Sequence, residues 1–189
     1  MHGNILTAIA LGIGLSACCG FRVFIPLLVA AIAANFKWIP VNAGMEWLGT
    51  VPAIVCFATA AVLEIAAYYI AFIDNLLDTI AAPLAIIAGT CIAATVLPVA
   101  GLDPMLKWVL GLLAGGATAG TIQVGSGLLR LLSSKTTGGM GNGFFATGEN
   151  LVAMTGSIAS LFIPVIIALF LLGICTYLLS RLLRKLVGE

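Results

Sequence analysis

The sequence predicts an all-α polytopic membrane protein: a transmembrane helical bundle of five or six membrane segments, at least one of them broken or re-entrant. Three observations predict it. Of 189 residues, 62% are apolar and only 8% are charged, against roughly 45–50% and about 25% in a soluble domain. A folded domain of this size keeps much of its surface exposed and has nowhere to hide that excess from water. The apolar residues also gather into five runs, 5–34, 51–73, 79–102, 108–129 and 151–180, each near or above the roughly 20 residues that cross a bilayer core. Finally, the first run is interrupted by glycine, arginine and proline. One domain over 1–189 is expected, with no extramembrane module.

The N-terminus carries Leu15-Ser16-Ala17-Cys18, which looks like a lipoprotein attachment box. Met1-His2-Gly3-Asn4 lacks the basic residues of a signal peptide, and more apolar chain follows Cys18, so no cleavage is expected. Within the first run, Gly12, Gly14 and Gly20 weaken the helix, Arg22 charges its centre and Pro26 removes a backbone donor. A helix break at Gly20–Pro26 is expected there. Such irregular backbone survives at membrane depth only inside protein or beside a wet cavity. The runs 51–73, 79–102 and 108–129 read as ordinary spans. The run 151–180 contains Pro164, which predicts a kink or break.

Counting each run as one crossing places Lys37, Lys107, Arg181, Arg184 and Lys185 on one side, and Arg130 and Lys135 on the other. The positive-inside rule then puts the C-terminus in the cytoplasm. Trp38, Trp47 and Trp108 stand near run ends, where indoles anchor at the interface. Gly111, Gly115, Gly116 and Gly120 give overlapping G-x-x-x-G spacing, as do Gly12, Ser16 and Gly20. Small residues four apart let helix backbones approach closely, within one chain or between copies. A faint internal echo links 5–100 with 106–180. Each half has a glycine-rich helix bearing an arginine (Arg22, Arg130) followed by a glutamate (Glu64, Glu149). Transporter folds are often built from such repeats.

Charges inside the apolar runs carry the functional argument. Arg22 and Glu64 must find partners, since a charge at the bilayer centre costs at least about 2.5–3.5 kcal/mol on insertion scales. They are the simplest partners for one another. Asp74 and Asp78 are four apart and share a helical face. Glu149 opens the last run, where a carboxylate suits a helix N-terminus. The stretch 133–150 reads as a polar loop. In it, Lys135, Thr136, Thr137, Gly138, Gly139 and Asn142 could cradle an anion or headgroup through consecutive backbone N–H groups, or simply connect two helices.

Other chemistry is not expected. The five cysteines are odd in number, contain no C-x-x-C and lie in apolar runs, and His2 is the sole histidine. Neither a metal site nor a cofactor is expected from such a set. No H-E-x-x-H or G-x-S-x-G occurs, so no enzyme is expected. Net charge is +1 with no large basic cluster, which argues against nucleic acid.

Several motifs carry a resemblance. Gly20-Phe21-Arg22-Val23-Phe24-Ile25-Pro26-Leu27-Leu28 resembles the opening motif of a bacterial membrane family, domain of unknown function 4126. Leu63-Glu64 with Asp74 and Asp78 resembles its acidic segment. Thr136-Thr137-Gly138-Gly139-Met140-Gly141-Asn142, followed by Glu149, resembles its stretch before the last helix. The chain departs from the family pattern at Tyr68-Tyr69, Ala71, Asn142-Gly143 and Glu149-Asn150, and so keeps fewer ionisable groups. The resemblance implies a multi-pass protein of the bacterial inner membrane and no particular activity.

Two functions follow as expectations. The first is a small transporter or channel-like protein for an ion, a small solute or a lipid headgroup, with Arg22, Glu64, Asp74, Asp78 and Glu149 along its pathway. The second is a non-transporting membrane scaffold with a static Arg22–Glu64 pair. Membrane lipid and further copies of the chain are the expected partners.

Overall fold

A computed structural model describes residues 5–98, 101–137 and 142–187, excepting the side chains at 71–76, 78, 132, 134–137, 142, 181–183 and 185–187. The described residues are helical, with no strand among them. In order they are α1 (Ile5–Cys18), α2 (Phe24–Asn35), a 3-10 turn (Glu46–Gly49), α3 (Val51–Ala67), α4 (Ala71–Val96), α5 (Pro104–Gly111), a π-helical segment (Leu112–Gly116), α6 (Ala117–Thr137), α7 (Asn142–Phe162) and α8 (Pro164–Val187). Because α5, the π segment and α6 are continuous, these form seven helical rods. Two of them, Thr79–Val96 within α4 and Pro104–Leu131 across α5 and α6, are long and apolar enough to cross a membrane. Other apolar helices, such as α1 with 14 residues and α2 with 12, fall short of the roughly 20 residues a bilayer core demands.

The first apolar run is split. α1 closes in tight turns, with Gly20 N–H donating to Ala17 O at 3.0 Å and Phe21 N–H to Cys18 O at 3.0 Å, and α2 restarts at Phe24. Gly20 lies in this break because α6 runs against it: a Cβ there would stand 2.5 Å from Ala119 O and 2.6 Å from Ile122 Cβ. Pro26 does not break anything. It sits in the first turn of α2, where its missing N–H has no intrahelical acceptor to lose.

The last run also differs from expectation. It is divided between α7 and α8, with Pro164 as the first residue of α8. The polar stretch expected as a loop over 133–150 is helical through Thr137 and again from Asn142.

α1 is the central helix and packs against α4, α6, α7 and α8. Its Leu15, Ser16, Ala17 and Cys18 are fully buried. The glycines at 111, 115 and 116 do their work within the chain. Gly115 meets Gly89 of α4 backbone to backbone, and a Cβ at Gly111 would lie 2.9 Å from Thr90 O. Ser16 reaches across the same junction to donate to Gly89 O at 2.8 Å. The connection from α2 to α3 folds back to seal α4. Asn42 donates its backbone N–H to Thr95 O at 2.8 Å, and its side chain donates to Ala94 O and Leu97 O at 2.8 and 2.7 Å. Those are carbonyls that a helix end leaves without partners.

The core is apolar, but so is much of the surface, and the charges at the helix break lie inside. Large apolar side chains such as Val62, Leu63, Ile166, Leu169 and Phe170 are exposed, while Arg22, Glu64, Gln123, Arg130 and Glu149 are buried. All five cysteines are free thiols, and Cys18 and Cys19 are buried.

Candidate functional site

The break between α1 and α2 frees backbone N–H groups at Val23 and Phe24, and no side chain of the break itself caps them. Glu64 of α3 does so from outside. Its Oε1 accepts from Val23 N–H at 2.8 Å and its Oε2 from Phe24 N–H at 3.0 Å. A carboxylate at this point also faces the positive end of the α2 dipole.

Arg22 therefore does not take Glu64 as its ion-pair partner, contrary to the sequence expectation. Its guanidinium turns the other way, toward α7. Nη2 lies 3.2 Å from Glu149 Oε2 and donates to Ala146 O at 3.1 Å, and Nε donates to Asn150 Oδ1 at 2.5 Å. The physical reason is competition. Two aligned backbone donors hold Glu64, and three residues of α7, Ala146, Glu149 and Asn150, present a carbonyl, a carboxylate and an amide together.

Glu149 serves a second arginine. Arg130 of α6 forks onto it, Nε to Oε1 at 3.1 Å and Nη2 to Oε2, and the Ser126 hydroxyl also donates to Oε1. Bidentate arginine–carboxylate pairs are the stronger and more directional kind. The Tyr68 ring at the end of α3 lies against both cations, 3.6 Å from the Arg22 guanidinium carbon and 4.4 Å from that of Arg130. Arg22 is 1% exposed, Arg130 3% and Tyr68 6%. Four helices and the break thus meet on one buried polar knot.

Of the residues singled out from sequence, the structure gathers Arg22, Glu64 and Glu149 here, with Gly20 beside them in the break. Asp74 and Asp78 fall in α4, but their side chains lie outside the described residues. So do Gly138 and Gly139 altogether, and the side chains of Lys135, Thr136, Thr137 and Asn142. Arg130, Ser126, Tyr68 and Asn150 were not among the site residues expected from sequence, although Arg130 stood there as the arginine of the echo's second half. One signal marks the first two: Gln123, Ser126, Arg130 and Ser133 recur at helical spacing on one face of α6, and all four are buried.

A cleft of about 290 Å³ opens beside the knot, between the start of α2, α3 and α4, and Glu64 and Tyr68 both line it. A second cleft of about 400 Å³ lies between α4 and α5 and presents no charged side chain. Among the described residues, no three His, Cys, Asp or Glu side chains cluster closely enough to hold a metal ion.

The family described as Domain of unknown function (DUF4126) matches residues 9–185, and the chain belongs to it. No curated protein matches the sequence. No solved structure matches it either.

Proposed function

We propose that the chain is a small multi-pass membrane transporter or channel-like protein, working at the Arg22–Glu149–Arg130 knot and Glu64. The observation that carries the reading is the meeting of four buried charges at a broken helix, beside a cleft that reaches Glu64. Ionisable groups held inside apolar helices mark substrate and ion pathways, and broken helices recur at the binding sites of transporters. An apolar exterior around a few buried charges supports membrane placement. In that placement the shorter apolar helices pair with their neighbours, giving five or six segments. The bacterial inner membrane, a cytoplasmic C-terminus and assembly into an oligomer belong to the same proposal. The moved species is an ion, a small solute or a lipid headgroup.

One observation favours a second reading, a non-transporting scaffold. The carboxylates of Glu64 and Glu149 are both engaged by donors, as a static knot requires. Proton and cation flux in proteoliposomes separates the two, comparing wild type with Glu64→Gln. Flux in wild type that is lost in a folded Glu64→Gln supports transport. No proton or cation flux in folded wild type removes ion transport and shifts the weight to lipid handling or the scaffold.

A further inference from the structure

The contacts of α1 and α2 fix their directions. Ile9 and Gly12 of α1 pack with Ala93 and Leu97 at the end of α4. Ser16, one turn on, donates to Gly89 O, and Gly20 lies against Ala119 and Ile122. α1 therefore runs away from the end of α4 and stops about halfway along the rod Pro104–Thr137. α2 runs back. It starts where Glu64 caps Phe24 N–H, and the connection after it reaches the end of α4 through Asn42. Both ends of the pair thus lie on one face of the bundle, which also holds the link from α4 to α5. The 14 residues of α1 and the 12 of α2 measure about 21 and about 18 Å at a helical rise of about 1.5 Å, and neither spans a core of about 30 Å. α3 leaves that face, α4 returns to it, and the rod Pro104–Thr137 leaves it again.

α7 and α8 form a second pair, from the opposite face. α7 begins beside the turn between α3 and α4, where the Tyr69 and Thr147 hydroxyls share a hydrogen bond. It then follows α1 in reverse. Ala146, Glu149 and Asn150 meet Arg22, Gly156 lies against Cys18, and Ser160 lies against Gly14. After Pro164 the chain turns back. Ile167 lies against Gly14, Leu171 packs with Ala17 and Cys18, and Leu178 lies against Gly125 in α6. We propose that residues 5–35 are a re-entrant hairpin entering from one membrane face, and that α7 and α8 are a hairpin that enters and leaves by the other. Each of the apolar runs 5–34 and 151–180 then returns the chain to the face it left. The inference rests on the membrane placement alone and holds for the transport and scaffold readings alike. It regroups the basic residues. Lys37 and Lys107 fall on the first face, and Lys135, Arg181, Arg184 and Lys185 on the second, while Arg130 is buried in the knot. The larger group stays with the C-terminus, so the positive-inside rule still makes that face cytoplasmic, but Lys37 and Lys107 now stand opposite it. The knot is the place where a hairpin from one face is clasped by a helix from the other.

The test places single cysteines in the full chain and labels them with a membrane-impermeant maleimide, first in intact spheroplasts of an expressing bacterium and then after permeabilisation. Wild type is the blank for its own five free thiols. Asn4→Cys and Ala43→Cys report the two ends of the first hairpin. Met140→Cys, between α6 and α7, and Glu189→Cys report the two ends of the second. Each pair is expected to label under one condition, and the two pairs under opposite conditions. Asn4→Cys and Ala43→Cys reacting from opposite sides would overturn the re-entrant hairpin and make 5–34 a crossing. Met140→Cys and Glu189→Cys reacting from opposite sides would overturn the second hairpin. Where a variant does not reach the membrane, protease protection of an epitope inserted at the same position decides by the same pairing. All four positions labelled in intact spheroplasts would remove the membrane placement and the inference with it. Reaction of the Asn4 and Ala43 pair from outside supports the cytoplasmic C-terminus, and the reverse overturns that side assignment while keeping both hairpins.

Discussion

Replacing Glu149 by Gln removes the one carboxylate that Arg22 and Arg130 share. The two arginines then stay within a few ångströms of the Tyr68 ring, without the carboxylate that both of them contact. Arg22 keeps Ala146 O and Asn150 Oδ1, so it remains in place. Arg130 loses its bidentate, charged partner, because Gln keeps one amide oxygen for Nε and the Ser126 hydroxyl but turns an NH2 donor where Nη2 had an acceptor. Two magnitudes compete. Neutral interhelical hydrogen bonds in membranes average about 0.6 kcal/mol, whereas breaking a buried ion pair from one side costs about 3–5 kcal/mol. Both arginines are nearly inaccessible, so the second figure governs, and Glu149→Gln is expected to destabilise by about 3–5 kcal/mol. Reversible unfolding by sodium dodecyl sulfate in mixed micelles, followed by helical circular dichroism, measures it. Adding Arg130→Met to Glu149→Gln should recover part of the loss, because one buried charge is then gone. A Glu149→Gln loss below about 1 kcal/mol, the range of exposed ion pairs, would refute the argument that this carboxylate holds the knot together.

Two further predictions concern packing and capping. Gly20→Ala drives a methyl into Ala119 O and Ile122 and should cost about 1–3 kcal/mol as overpacking. Gly127→Ala, on the open face of α6 with nothing within 4 Å, should instead gain up to about 1 kcal/mol from helix propensity; thermal midpoints in the same detergent rank the two. Asn42→Ala removes two side-chain bonds from the end of α4, at roughly 1 kcal/mol each. Its signature is faster amide exchange over residues 95–97 while the centre of α4 stays protected.

How much of this could be read from sequence varies by residue. Arg22 and Glu64 announce themselves as charges within apolar runs, and a charge there must be buried or lost to solvent. Their pairing was not legible. It depends on where the broken backbone turns its freed N–H groups, and Val23 and Phe24 present theirs to Glu64. Arg130 was obscured by an end effect. The apolar run stops at Leu129, so a charge just beyond it reads as a span terminus. The helix continues to Thr137 and carries Arg130 inward. Hydropathy also joined 151–180 into one run, since it sees Pro164 as a perturbation of a helix and not as the start of one. The helical character of every run was legible because no period-two alternation competes with it.

The wiring of the broken helix has a consequence for how the chain is made. Synthesis proceeds from the N-terminus, so the break leaves the ribosome before anything that satisfies it. The carboxylate that caps Val23 lies 41 residues downstream. The amide that receives Arg22 lies 128 residues downstream, when most of the protein already exists. Until Glu64 emerges the nascent N-terminal segment has two amide hydrogens without their cap, and until α7 emerges it has an arginine without its acceptors there. It can wait in water, in the insertion machinery, or as one unbroken helix whose ladder keeps those amides occupied. Cutting the message after α6 should therefore yield a fragment whose first segment inserts differently from the finished protein. The arrival of α7, carrying Glu149 and Asn150, would then be the event that sets the break.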